Sequence, residues 1–116
     1  MQNIETWTFD NDELFNLVVT NRKHGTCCLY DNKSDLSKIG DINIIYDSMG
    51  NKVKIKITNV KTCRFCDVDK IWAKIEGEGD LSLEYWQKTH QDFFTKEKPD
   101  FQPTDMLELN EFIVLN

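Results

Sequence analysis

The chain has 116 residues, 40% hydrophobic and 29% charged, and its twenty acidic and fourteen basic side chains give a formal net charge of −6. That length predicts one domain over 1–116 with a single modest core. The acid balance excludes a protein that grips nucleic acid by bulk positive charge, because such affinity needs many Lys and Arg at phosphates; five glycines and two prolines are too few for a low-complexity chain.

Residues 1–9 carry no basic n-region and no apolar run. No stretch approaches the roughly 20 apolar residues of a membrane span, so the sequence reads as cytoplasmic with no membrane partner. The first helix is expected from Asp10, which can cap it, with Glu13 three residues on and Leu14, Leu17 and Val18 as its stripe. Asn21 suits a left-handed stop. Thr26–Tyr30 reads as a short strand and 31–40 as polar loop. Ile42–Asp47 and Lys52–Val60 form a hairpin around Ser48-Met49-Gly50-Asn51. In the second run Val53, Ile55 and Ile57 alternate with Lys52, Lys54 and Lys56. That lysine ladder either meets phosphates or, the favoured reading, is a solvated face that deters edge pairing.

Asp67 is expected to cap a short helix with Val68, Ile71, Trp72 and Ile75 on one stripe, ended by Gly77. Ser82 opens the longest helix, to about Lys96, with Leu83, Trp86, His90 and Phe93 facing inward and Glu84 and Lys88 as an exposed pair. Pro99 and Pro103 keep the next segment non-helical, and Leu107–Leu115 closes the chain as a strand. The order α-β-β-β-α-α-β has too few helices between strands for a doubly wound sheet. It predicts an α+β fold, a mostly antiparallel sheet or partial barrel with helices at its side.

Three places look unlike packing alone. Arg22-Lys23-His24-Gly25-Thr26 puts a basic cluster and a hydroxyl after a helix end, which makes an anion or carbonyl site; the helix dipole is an equally sufficient reason for the cations. Glu76-Gly77-Glu78-Gly79-Asp80 lacks the ligand order of a calcium loop and would repel phosphate, so it is a candidate base or hydrogen-bond acceptor, or a plain connection. The aromatics and His90 of the long helix are core by spacing, His90 as a hydrogen-bonded core histidine. Cys63-Arg-Phe-Cys66 is a CxxC, but adjacent Cys27 and Cys28 make a poor second metal pair on a strand. Four small half-buried thiols, with no metal and no cofactor, are favoured. His24 near Cys27 lacks an orienting third group.

Together, Glu76-Gly77-Glu78-Gly79-Asp80, Ser82-Leu83, Tyr85-Trp86, His90 and Phe93-Phe94 resemble the bacterial ASCH-domain proteins that share an EGEGD-x-SL-x-YW run. Glu5-x-Trp7-x-Phe9, Lys23-x-x-Thr26 and Gly40-Asp41 agree in order. The resemblance implies a PUA-like pseudo-barrel with helices over a cleft, and a partner that is RNA or a modified nucleoside, with no DNA specificity. Some small relatives are amidohydrolases that deacetylate N(4)-acetylcytidine through a lysine, a threonine and a glutamate; others are connected with RNA binding or cleavage. Carried over, the catalytic set is Lys23, Thr26 and Glu78 (Glu76 if the alignment shifts by two). The ligand-binding expectation adds Arg22, His24, Glu76, Tyr85 and Trp86. The chain departs from the small amidohydrolases at Cys28, where they carry arginine, at Asn21 in place of glycine, and at His24 in place of a small polar residue. A non-catalytic RNA or nucleotide module and a protein-interaction domain are the alternatives.

Electrostatics gives the proposed set its roles. A neutral Lys23 near pH 7 would cost on the order of 4–5 kcal/mol. A nearby Glu78 favours the ammonium form, so Lys23 is expected to clamp a developing oxyanion, Thr26 to attack or hold water, and Glu78 to accept the proton.

Overall fold

The computed structural model describes residues 4–9, 11–33 and 35–115. Its elements are β1 (Ile4–Thr8), α1 (Asp12–Val19), β2 (Gly25–Leu29), β3 (Ile42–Tyr46), β4 (Lys52–Arg64), a 3-10 turn (Phe65–Asp67), α2 (Lys70–Glu76), α3 (Leu83–Glu97) and β5 (Met106–Leu115). The strands form one sheet in the order β1-β3-β4-β5-β2. β1 runs parallel to β3 and the other three pairings are antiparallel. The architecture is α+β, a half-barrel with three helices, as the alternation of elements predicts.

The departures have local causes. β1 was not among the expected elements: it is a five-residue edge strand, mostly exposed, whose pairing partner lies far along the chain. Asp10, the expected cap of α1, lies outside the described residues; the Asn11 side chain accepts from Glu13 N at 2.9 Å and caps the helix. Asn21 takes the left-handed conformation just past its end, at φ +65°.

Asp67 ends the 3-10 turn and pairs with Arg64 at 2.8 Å, whereas Asp69 accepts from Trp72 N and caps α2. Starting later turns the inward stripe onto Trp72, Ala73 and Glu76 and leaves Ile71 64% exposed. In α3, capped by Ser82, the buried stripe is Trp86, His90 and Phe94, while Phe93 is 51% exposed.

Two cores lie on opposite faces of the sheet. Phe65, Trp72, Trp86, Phe94, Leu107 and Leu109 pack under α2 and α3. Phe15 and Val18 of α1 pack on Ile45, Val53, Ile55, Ile57 and Phe112. β4 serves both because a bulge between Ile57 and Asn59 shifts its register against β5. Before the bulge the odd positions face the α1 core; after it Val60 does, and Cys63 packs on the other core. Lys52, Lys54 and Lys56 are exposed, but β4 lies inside the sheet, so the ladder guards no edge. The edges are β1 and β2. All four cysteines are free: Cys27 and Cys63 half-buried, Cys28 and Cys66 exposed.

Candidate functional site

The segment joining α1 to β2 is pinned from three sides. Lys23 N donates to Leu17 O at 3.0 Å, His24 N to Ile75 O at 2.8 Å, and His24 O accepts from Phe112 N at 2.9 Å. Gly77 ends α2 in the left-handed region at φ +72° and lies against this segment: a Cβ there would sit 2.1 Å from Arg22 O. The backbone contact sets Glu76 and Glu78, on either side of Gly77, against Lys23.

Lys23 is almost fully buried, with Nζ 2.8 Å from Glu78 Oε2, 3.1 Å from Glu76 Oε1 and 3.4 Å from Glu76 O. Its ring neighbour is Phe9, 5.6 Å away. Glu76 Oε2 accepts from two indoles, Trp72 Nε1 at 2.7 Å and Trp86 Nε1 at 2.6 Å. Glu76 Oε1 also faces His90 Nε2 at 3.4 Å. His90 Nδ1 is 2.9 Å from Trp86 O. Since both imidazole nitrogens face acceptors, the cationic ring with two N–H donors is the form that fits.

The ionisation states follow. Burial disfavours each charge, but for Lys23 the Glu76 and Glu78 carboxylates outweigh it and raise the ammonium pKa above its ordinary value. His90 behaves likewise, its burial outweighed by Glu76. For Glu76 burial is overcome by Lys23, His90 and the indole bonds, which hold its carboxyl far below the usual range. Two cations and two carboxylates thus form a buried, balanced quartet. Burial and the adjacent Glu76 push the Cys27 thiol well up.

Cys27, Glu76 and His90 offer ligand atoms within 4.8 Å of one another. Their chemistry does not suit a metal. Both Glu76 oxygens are committed to donors, the thiol is held protonated, and the Lys23 ammonium beside them would repel a cation.

The quartet opens on a cleft of about 1930 Å³. Of the expected residues, Lys23, Thr26, Glu76, Glu78 and Tyr85 line it together. No hydrogen bond joins the Thr26 side chain to Lys23 or Glu78 among the described residues. Three expected residues stand apart. Arg22 and His24 are exposed outside the cleft, because their segment turns only Lys23 inward. Trp86 is 1% exposed and stacks between Phe65 and His90, so it serves the site by holding Glu76 rather than by touching a ligand. Sequence reasoning missed Asn43, Glu108 and Asn110, all buried and all on the cleft wall. The alternation Leu107-Glu108-Leu109-Asn110 was the available signal: a strand with polar residues on one face and a core on the other.

The wall carries ten carboxylate side chains against three lysines. No helix among the described residues is long and apolar enough to cross a membrane.

The model of the ASCH domain matches residues 5–116. The ASCH domain crystal structure from Lactobacillus crispatus is 25% identical, with a TM-score of 0.85 over 95% of this chain and 79% of that one. A crystal structure of an Enterococcus faecalis protein is 29% identical, with a TM-score of 0.84 over 99% of this chain and 82% of that one. No curated protein matches the chain at a significant level. A family model that spans nearly every residue, and solved structures that share the half-barrel and its helices, lead to one conclusion: the chain belongs to the ASCH-domain family, with its PUA-like fold.

Proposed function

We propose that the cleft binds a modified nucleoside and hydrolyses an amide on it, with N(4)-acetylcytidine as the substrate class. The observation that carries this reading is a charged Lys23 fixed between two carboxylates on a cleft wall shared with Thr26. The acidic lining supports it further, because it disfavours a polyanion and suits an uncharged ligand rich in donors.

In the reaction, Thr26 Oγ, or a water it holds, attacks the amide carbonyl carbon as Glu78 takes the proton. Glu78 is the more accessible of the two carboxylates, its side chain 10% exposed against 1% for Glu76. Lys23 turns a donor to the oxyanion, and the bond at 3.4 Å to Glu76 O is the easiest to release. Collapse breaks the C–N bond, and the proton on Glu78 passes to the departing exocyclic nitrogen. If Thr26 has taken the acyl group, one water, its proton taken by Glu78, attacks the ester and releases acetate, and the Thr26 hydroxyl is restored. Glu76, locked by its indoles and His90, keeps Lys23 positioned.

Incubation with N(4)-acetylcytidine, followed by absorbance, is expected to show turnover, and Glu78→Gln to lower kcat/KM by about 10²–10⁴-fold, the usual worth of a general base. An unchanged rate in that variant would remove Glu78 from the mechanism. No turnover, together with RNA binding that weakens as salt rises, would assign the cleft to a non-catalytic RNA module, the reading the PUA-like fold itself favours.

A further inference from the structure

Asn110 stands directly opposite Thr26 in the β2–β5 ladder, and Glu108 opposite Cys28. Directly paired residues point to one face of a sheet with Cβ atoms roughly 4.5–5.5 Å apart. All four side chains line the cleft. Asn110 Nδ2 donates to Glu108 Oε2 at 2.8 Å, and that carboxylate oxygen also accepts from Ser37 N at 3.4 Å. Ser37 Oγ is a longer contact of Nδ2, at 3.5 Å.

This arrangement fixes which way the amide points. Turned over, Asn110 would set its carbonyl oxygen against the Glu108 carboxylate, acceptor against acceptor. With Nδ2 held by Glu108, Asn110 Oδ1 is fully buried and has no hydrogen-bond partner among the described residues. The residue as a whole is only 8% exposed. A buried acceptor of this kind is costly unless a donor reaches it, and Asn110 is a residue of the cleft wall.

We propose that Asn110 Oδ1 accepts the N–H of the scissile amide, which makes Asn110 a specificity-determining residue that selects secondary amides over N-alkylated amides. This rests on the amide-hydrolysis reading above. A carbonyl carbon within reach of Thr26 Oγ has its amide nitrogen one bond away, on the side where Asn110 faces Thr26. The carbonyl oxygen is then free to turn toward Lys23. Glu108 is the positioning residue: its carboxylate holds Nδ2 and thereby leaves Oδ1 as the free end of the amide.

The test compares N(4)-acetylcytidine with its N(4)-methyl derivative, which lacks the N–H. For the wild-type protein kcat/KM is expected to fall about hundredfold on methylation, as when a buried acceptor loses its donor. Asn110→Leu has a similar volume and no acceptor, so any steric penalty of the methyl group persists. The ratio should nevertheless shrink to about threefold, through slower turnover of the N–H substrate alone. Equal turnover of both substrates by the wild type would overturn the assignment while leaving amide hydrolysis in place. So would a ratio that Asn110→Leu leaves unchanged. Equal turnover by the wild type overturns the assignment even if Asn110→Leu does not fold, and Asn110→Asp, which keeps an acceptor of similar size, then replaces it for the ratio, which it should retain. Failure to turn over either substrate removes the amide-hydrolysis reading, and the assignment with it.

Discussion

Glu76→Gln is expected to cost about 3–5 kcal/mol of stability, the penalty of breaking a buried ion pair from one side. Glutamine keeps the shape and an oxygen for the two indole donors, so the loss isolates the charge. It leaves Lys23 and His90 in the interior with Glu78 as the one remaining carboxylate of the quartet. The pH dependence should change sign. In the wild type His90 has a raised folded pKa, so its contribution is complete below the ordinary value of 6.5 and is lost as pH rises through the raised one. Glu76, with a lowered folded pKa, contributes fully above 4.5 and loses that contribution as pH falls through the lowered value. Without Glu76, burial dominates at His90 and depresses its pKa. The variant then gains stability as pH rises from the depressed value to 6.5, where the wild type is level, and is level above 6.5, where the wild type declines. Urea denaturation at about pH 5.5 and about pH 8 reads both effects. A variant as stable as the wild type at both values would show that Glu76 gives the quartet no net electrostatic stabilisation.

Gly77→Ala is expected to be comparably severe for a different reason. The residue sits at φ +72°, where a side chain costs of order 1–3 kcal/mol on conformation alone. The added Cβ would also stand 2.1 Å from Arg22 O and 3.1 Å from Lys23 Cα, and those atoms are backbone, pinned by bonds to Leu17 and Ile75. The 76–78 loop must therefore move away from Lys23. The combined loss should be about 3 kcal/mol or more, with the Lys23 contacts to Glu76 and Glu78 lengthened. Thermal unfolding measures the first effect. The second appears as loss of turnover in whatever fraction remains folded, and full activity in a stable Gly77→Ala protein would refute the contact. Gly79→Ala isolates the backbone clash: it shares the positive-φ cost, at φ +59°, but its Cβ would meet the Tyr85 side chain, at 2.4 Å, rather than backbone.

Much of this was legible in the sequence because the signals were local. Ser82, Gly77 and Asn21 mark element boundaries through their own backbone preferences, and the Val53–Ile57 alternation marks a half-buried strand whatever lies next to it. The acidic glycine run next to a helix end pointed to Lys23 and Glu78 through family likeness. What was not legible depended on distant partners. β1 has a weak pattern of its own and is a strand because β3 is beside it. The phase of α2 was set by Asp69 rather than Asp67, two residues that cap equally well on paper. Arg22, Lys23 and His24 look alike as a basic cluster; which one turns inward is decided by backbone hydrogen bonds to Leu17 O and Ile75 O and from Phe112 N. Trp86 reads as core from its helical spacing, and it was the family likeness that added it to the ligand surface; in the structure it is buried between Phe65 and His90. Asn110 went unnoticed because its meaning lies across the ladder, opposite Thr26.

The extra residue in β4 has a consequence for how this family can vary in length. It acts as a phase shifter: lysines precede it on the outside, and after it Lys61 lies over Trp72, 5.5 Å from the ring, while Val60 faces the α1 core. Removing one residue near Thr58 would invert every position from Asn59 to Arg64, burying cations where Val60 packs and turning Cys63 away from its core. Insertions and deletions in this lineage are therefore expected to accumulate in the Ser48–Asn51 turn. The stretch around Thr58 should keep its count even where its composition drifts.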